Sequence, residues 1–113
     1  MIQILHNPRC TKSRQALAIL TESGENPEII EYLKNPLTIE ELQDIIAKLK
    51  IKPEDLVRKK EPLFVENYKG KSFTDKQWIK ILSENPVLIE RPILIKGNKA
   101  VIGREEVKIR ELL

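Results

Sequence analysis

The chain has 113 residues, with 20 Lys and Arg against 17 Asp and Glu, a formal net charge of +3 and one cysteine. That length predicts one compact domain, residues 1–113, with a single real core. A charge excess this small, with only 4% aromatic residues, argues against a nucleic-acid surface, and no stretch has the pattern of a signal peptide or the length of a membrane span.

The apolar run Ile2–Leu5 reads as a buried strand. A helix from about Thr11 to Ser23 follows, with Ala16, Leu17, Ile19 and Leu20 on one side and Gly24 as its stop. Pro27–Tyr32 reads as a second strand. A β-α-β start of this length implies parallel strands joined by a right-handed crossover. Leu33–Leu37 is a loop.

Thr38 and Glu41 form a capping box, and Leu42, Ile45, Ile46 and Leu49 recur behind it on one helical face. Pro53 opens a short helix over Leu56 and Val57 that carries Arg58, Lys59 and Lys60 until Pro62 interrupts it. Leu63–Tyr68 adds a further turn and Gly70 breaks it. Thr74 and Gln77 form a second capping box ahead of Trp78, Ile79 and Leu82. Residues 38–83 are thus a helical insertion. Ile93–Ile95 and Ala100–Ile102, separated by Lys96-Gly97-Asn98-Lys99, read as an antiparallel hairpin. Arg104–Leu113 is a last helix, with Val107 and the stem of Arg110 facing in.

Cys10 sits where the first strand turns into the first helix. The first helical turn offers unpartnered N–H groups and the positive end of the helix dipole. Arg9, Lys12 and Arg14 add full positive charges. Both effects favour thiolate over thiol, so Cys10 is expected to be a nucleophile with a lowered pKa, although a lone cysteine is commonly just a small buried residue. His6 is placed to hydrogen-bond or charge-pair with the sulfur. The same loop suits an oxyanion. Ser13 stands three residues after Cys10, so there is no C-x-x-C, and a C-x5-R spacing lands on Ala16 rather than on Arg14. Any disulfide formed in turnover must involve another molecule, and a lone cysteine fits a reducing, cytoplasmic setting.

The order β-α-β, helical insertion, β-β-α is an α/β, thioredoxin-like arrangement with a small mixed sheet. In that architecture the proline before the third strand is usually cis and faces the catalytic cysteine, which is the place of Pro92. The motifs H-N-P-R-C-T-K-S-R, E-Y-L-K-N-P, L-V-R-K-K-E-P, N-P-V-L-I-E-R-P-I and I-G-R occur in order along nearly the whole chain. In these the chain resembles the ArsC family, the glutaredoxin-linked arsenate reductases and their uncharacterised relatives. The resemblance implies Cys10 as nucleophile, His6 and Ser13 flanking the thiolate, and Arg58, Arg91 and Arg104 around the oxyanion. It also implies glutathione as co-substrate, glutaredoxin as partner, and no bound cofactor or metal. A monomer without nucleic-acid or membrane partners is expected.

Guanidinium groups suit such an oxyanion independently of the family, because they bind it in bidentate geometry and stay charged. Arg91 is the best placed of the three, since Arg91-Pro92 abuts the predicted active-site strand; Arg14 adds charge next to the cysteine. Lys48, Lys50, Lys59 and Lys60 read as solvated surface. The chain departs from the family pattern at Glu105, where many members have proline, and at Lys12, where arsenate-resistance enzymes commonly have a small neutral residue. Two other functions remain open. The Spx regulators share the fold and bind RNA polymerase, but their usual C-x-x-C switch is absent here because of Ser13. A thiol-transfer protein without arsenic chemistry is the third.

Overall fold

The computed structural model describes residues 2–113. Its elements are β1 (Ile2–Leu5), α1 (Thr11–Glu22), β2 (Glu28–Ile30), α2 (Ile39–Leu49), a 3-10 turn (Pro53–Leu56), α3 (Pro62–Asn67), α4 (Asp75–Glu84), a second 3-10 turn (Pro86–Leu88), β3 (Ile93–Lys96), β4 (Lys99–Ile102) and α5 (Glu106–Leu112). Residues up to Asn35 together with Arg91–Leu113 form one compact unit, and Pro36–Glu90 forms another.

The first unit is built on a four-stranded sheet of order β2-β1-β3-β4. β1 pairs parallel with β2 and antiparallel with β3, and β3 pairs antiparallel with β4 around the two-residue turn Gly97-Asn98. This is the mixed sheet of a thioredoxin-like fold. Leu5 is opposite Ile93, which is opposite Ile102, so β1 and β4 end where β3 begins. Ile2, Ile4 and Leu94 share a core with Ala16 and Leu20 of α1 and with Ile109 and Leu112 of α5. The period-two exposure of strand faces and the i, i+4 spacing in α1 put these residues together. Leu17, Ile19 and Val101 pack around them, partly buried.

β2 is shorter than the expected Pro27–Tyr32. The Tyr32 N–H donates to the Ile30 carbonyl at 3.1 Å, which turns the chain out of the strand and buries the Tyr32 side chain. The last helix also differs. Gly103 and Arg104 form a turn, and α5 starts at Glu106. Val107 is 63% exposed and Arg110 is paired outside with Glu106 at 2.7 Å, while Ile109 and Leu112 are the inward residues. Starting the helix two residues later moves the buried stripe to the pair spaced i, i+3.

In the second unit both capping boxes form as expected: Thr38 Oγ1 accepts from the Glu41 N–H at 3.1 Å and Thr74 Oγ1 from the Gln77 N–H at 3.2 Å. Helices α2 and α4 pack together, burying Leu42, Ile45, Ile46, Trp78, Ile79 and Leu82. Phe73 meets Trp78 edge-on with ring centroids 4.8 Å apart, a favoured aromatic geometry. The segment after Pro53 departs from expectation. Its turn ends at Leu56, and Val57 is extended and bridges to Ile89. Arg58, Lys59 and Lys60 therefore lie outside any helix. Pro62 opens α3 instead of ending a helix, at a position where its missing N–H costs nothing. Among the described residues no helix is long and apolar enough to cross a membrane.

Candidate active site

β1 delivers the chain to His6, and Asn7 then folds it back. The Asn7 carbonyl accepts from the Cys10 N–H at 3.0 Å and its Oδ1 accepts from the Arg9 N–H at 3.0 Å. These two bonds close the Asn7–Cys10 turn and leave Cys10 as the N-cap residue of α1, with extended backbone. The Cys10 carbonyl takes the first intrahelical bond, from the Arg14 N–H at 3.0 Å. Its sulfur then occupies the place of a capping oxygen, over the N–H groups of Ser13 and Lys12. These contacts are looser than a conventional cap hydrogen bond, as suits a large, weakly accepting sulfur.

The second half of the site comes from the other end of the chain. Arg91 precedes β3, is joined to Pro92 by a cis peptide bond, and hydrogen-bonds the Cys10 sulfur through its guanidinium. Pro92 is buried, and its carbonyl accepts from the Gly103 N–H at 2.8 Å. Partial burial pushes the Cys10 thiol up. The Ser13 N–H, the hydrogen bond and charge of Arg91, and the Lys12 N–H outweigh it, and the pKa falls below the ordinary 9.0. A lowered thiol pKa is therefore present, and Arg91 brings a full positive charge to it. Arg14 is exposed, and its Nη2 donates to Thr11 Oγ1 at 3.4 Å.

His6 and Ser13 meet beneath this layer. Ser13 is completely buried and His6 nearly so, with Nδ1 and Oγ 2.6 Å apart. The same Oγ accepts from the Asn7 N–H at 3.0 Å. The hydrogen bond of His6 thus goes to Ser13, where the sequence pointed it at sulfur. Burial lowers the His6 pKa below its ordinary 6.5, opposed by the charge of Glu31. Glu31 is outside the residues singled out from the sequence. The pairing of Leu5 with Ile30 and the His6 N–H bond to the Ile30 carbonyl, 2.9 Å, bring Glu31 beside His6. A register between two parallel strands is what would have revealed it.

Arg104 leaves the sheet after β4 and is exposed, lining a groove along α1 together with Lys12. Arg58 belongs to the second unit, where its Nη1 is paired with Glu61 Oε2 at 2.8 Å. Among the described residues no group of three or more His, Cys, Asp or Glu is placed to hold a metal ion. The first unit therefore brings together Cys10, Arg91, Ser13, His6 and Pro92: a polarised thiol with a cation on its sulfur, at the positive end of a helix. Such a site can attack an electrophilic centre that carries anionic oxygen.

A model of the ArsC family matches residues 5–112. The uncharacterised protein YfgD of Escherichia coli strain K12 is 38% identical, over 99% of this chain and 96% of its own length. An arsenate reductase of Haemophilus influenzae is 40% identical over 97% of both chains. The solved structure of the arsenate reductase from Vibrio cholerae superposes with a TM-score of 0.94 at 36% identity, covering 99% of this chain and 97% of that one. With a family match from the last residue of β1 to the last of α5, and relatives up to 40% identical over nearly its whole length, the chain belongs to the ArsC family.

Proposed function

We propose that the protein reduces arsenate, or a closely related oxyanion, with Cys10 as nucleophile and an external thiol as reductant. The observation that carries this is the Arg91 guanidinium hydrogen-bonded to the Cys10 sulfur. One cation serves two steps there. It holds the thiolate, and it lies beside the oxygens of any tetrahedral anion that the thiolate attacks. The relatives named arsenate reductase, similar over the whole chain, support the choice of arsenic.

In this reading the Cys10 thiolate bonds to arsenic and displaces one oxygen, which leaves as water after protonation. Reduction of As(V) to As(III) then takes two electrons, which two thiols supply on becoming one disulfide. The balance is arsenate and two thiols to arsenite, one disulfide and one water. Since the chain has one cysteine, that disulfide includes at least one sulfur from outside. Glutathione as the external thiol, and glutaredoxin as the protein that reduces the resulting mixed disulfide, follow from the family resemblance. So does a role for Arg58 in oxyanion binding. We take the protein to act as a monomer in the cytoplasm.

Consumption of NADPH in a coupled glutathione, glutaredoxin and glutathione reductase assay tests the proposal. Arsenate-dependent consumption is expected with the wild-type chain and none with Cys10→Ser. No arsenate dependence, with added glutathione disulfide still reduced as the control on the coupling enzymes, would overturn the arsenate reading.

A further inference from the structure

Arg58 lies outside any helix, yet its backbone and its side chain are both held. Val57 before it bridges to Ile89, its N–H donates to the Leu88 carbonyl at 2.7 Å, and its carbonyl accepts from the Glu61 N–H at 3.1 Å. Its guanidinium Nη1 donates to Glu61 Oε2 at 2.8 Å, and both side chains are only 22% exposed. The ion pairs Lys59–Glu54 and Arg110–Glu106 are more than half exposed on both sides, where solvent screens them far more.

Glu61 stands where a cap would be expected and does not cap. It is the N-cap residue of α3, with extended backbone, and its side chain makes no cap hydrogen bond. Helices α2 and α4 of the same unit start on Thr38 and Thr74, each of which caps its own helix. Glutamate is not among the residues favoured at an N-cap, so capping does not account for it here, and its carboxylate goes to Arg58 instead. Nη1 is the nitrogen on the Cδ side of the guanidinium. The Nε–Nη2 edge has no hydrogen-bond partner among the described residues. Its two parallel N–H groups are the geometry that takes two oxygens of one anion.

We propose that Glu61 is a positioning residue for oxyanion binding: it holds the Arg58 guanidinium by Nη1 and so presents the Nε–Nη2 edge to a tetrahedral oxyanion such as arsenate. The inference rests on the reading that Arg58 takes part in oxyanion binding. A free arginine side chain has many rotamers, and an anion that had to select one of them would bind more weakly by the entropy lost. With the pair formed, that selection is made before the anion arrives. The pair also shapes what is bound. Glu61 offsets much of the charge of Arg58, so recognition falls to the spacing of two acceptor oxygens more than to net charge.

The test follows the Arg58 Nε–H resonance of the isotope-labelled protein, since that proton lies on the proposed edge. In the wild type without added anion, its heteronuclear NOE should already report a restrained side chain, unlike that of the exposed Arg9. Inorganic arsenate should then shift the resonance saturably. Glu61→Ala should raise the arsenate Kd at least about tenfold. Glu61→Gln keeps an oxygen that accepts from Nη1 and should raise it less than about threefold. In turnover the Glu61→Ala loss should fall on KM, with kcat within about twofold of wild type. Arsenate bound with these effects but not reduced would remove the proposed function and leave this inference standing. Arsenate reduced with an unchanged KM in Glu61→Ala would do the reverse. The wild-type NOE and Glu61→Gln keep the test decisive if Glu61→Ala fails to fold. The proposal is overturned if the Arg58 side chain is as mobile as that of Arg9 in the wild type, or if arsenate leaves its resonance unmoved. It is equally overturned if folded Glu61→Ala loses stability at an unchanged Kd, which marks a purely structural pair, or binds arsenate more tightly, which makes Glu61 a competitor of the anion.

Discussion

The guanidinium of Arg91 hydrogen-bonds the sulfur of Cys10, and these two residues enter the sheet from opposite ends of the chain. Removing the guanidinium takes away both a donor and a charge, so Arg91→Ala should raise the pH midpoint of Cys10 alkylation by iodoacetamide towards the ordinary 9.0. If the oxyanion reading holds, kcat/KM for arsenate should fall at least about tenfold, or ~1.4 kcal/mol of transition-state stabilisation. Arg91→Lys should recover part of this, because an ammonium keeps the charge without the planar fork. An unchanged alkylation midpoint in Arg91→Ala would show that the helix end alone sets the thiol.

Ser13 is expected to matter for stability. Its Oγ accepts from the Asn7 N–H and pairs with His6 Nδ1 in a fully buried position. Ser13→Ala leaves both groups without that partner, which should cost about 1–3 kcal/mol. Urea unfolding of the variant against wild type measures it. Equal midpoints would mean that water or a shifted backbone replaces the hydroxyl.

The single histidine of the chain gives a clean pH test. Burial holds the His6 pKa below 6.5 in the folded state, so the unfolded chain takes up a proton that the folded chain resists. Stability should thus be full above pH 6.5 and decline as the pH falls from there towards the folded value. His6→Gln should flatten the Tm profile in this window. A wild-type Tm that is constant through it, or the same slope in both proteins, would contradict the assignment.

Gly103 is tight for steric reasons. A Cβ built there meets Leu94 Cδ1 at 2.5 Å and Ile109 Cγ1 at 3.3 Å. Leu94 is fully buried and in the sheet centre, so it has little room to yield. Gly103→Ala should destabilise by about 1–3 kcal/mol, as overpacking usually does, and thermal unfolding would show it. A Tm equal to wild type would mean that Leu94 changes rotamer without loss.

Local signals carried the fold where they agreed with tertiary packing. The capping residues Thr38 and Thr74, the positive-φ turns at Gly24 and Gly97, and the period-two run of β1 are each a few residues long and act without help from elsewhere. The phase of α5 depended on more. Val107 and Ile109 are both apolar, and which of them turns inward is decided by where the Gly103–Arg104 turn releases the helix. In the site, the cysteine and its helix end were legible because they are consecutive in sequence. Arg91 could be singled out because Pro92 and the strand follow it directly, whereas Glu31 beside His6 could not be read locally. It follows from strand pairing, which sets which distant residues share an end of the sheet.

β1 and β3 are the two inner strands, each flanked on both sides by another strand. One leads into the Cys10 loop and the other starts directly after Arg91-Pro92. Separating sulfur from guanidinium by a backbone fluctuation of the sheet therefore means opening its middle, where amide protons are expected to exchange last with solvent, rather than fraying an edge such as the three-residue β2. The contact that polarises the thiol is thus lost only with an opening that also breaks the sheet, so conditions that spare the fold should also spare the lowered pKa of Cys10.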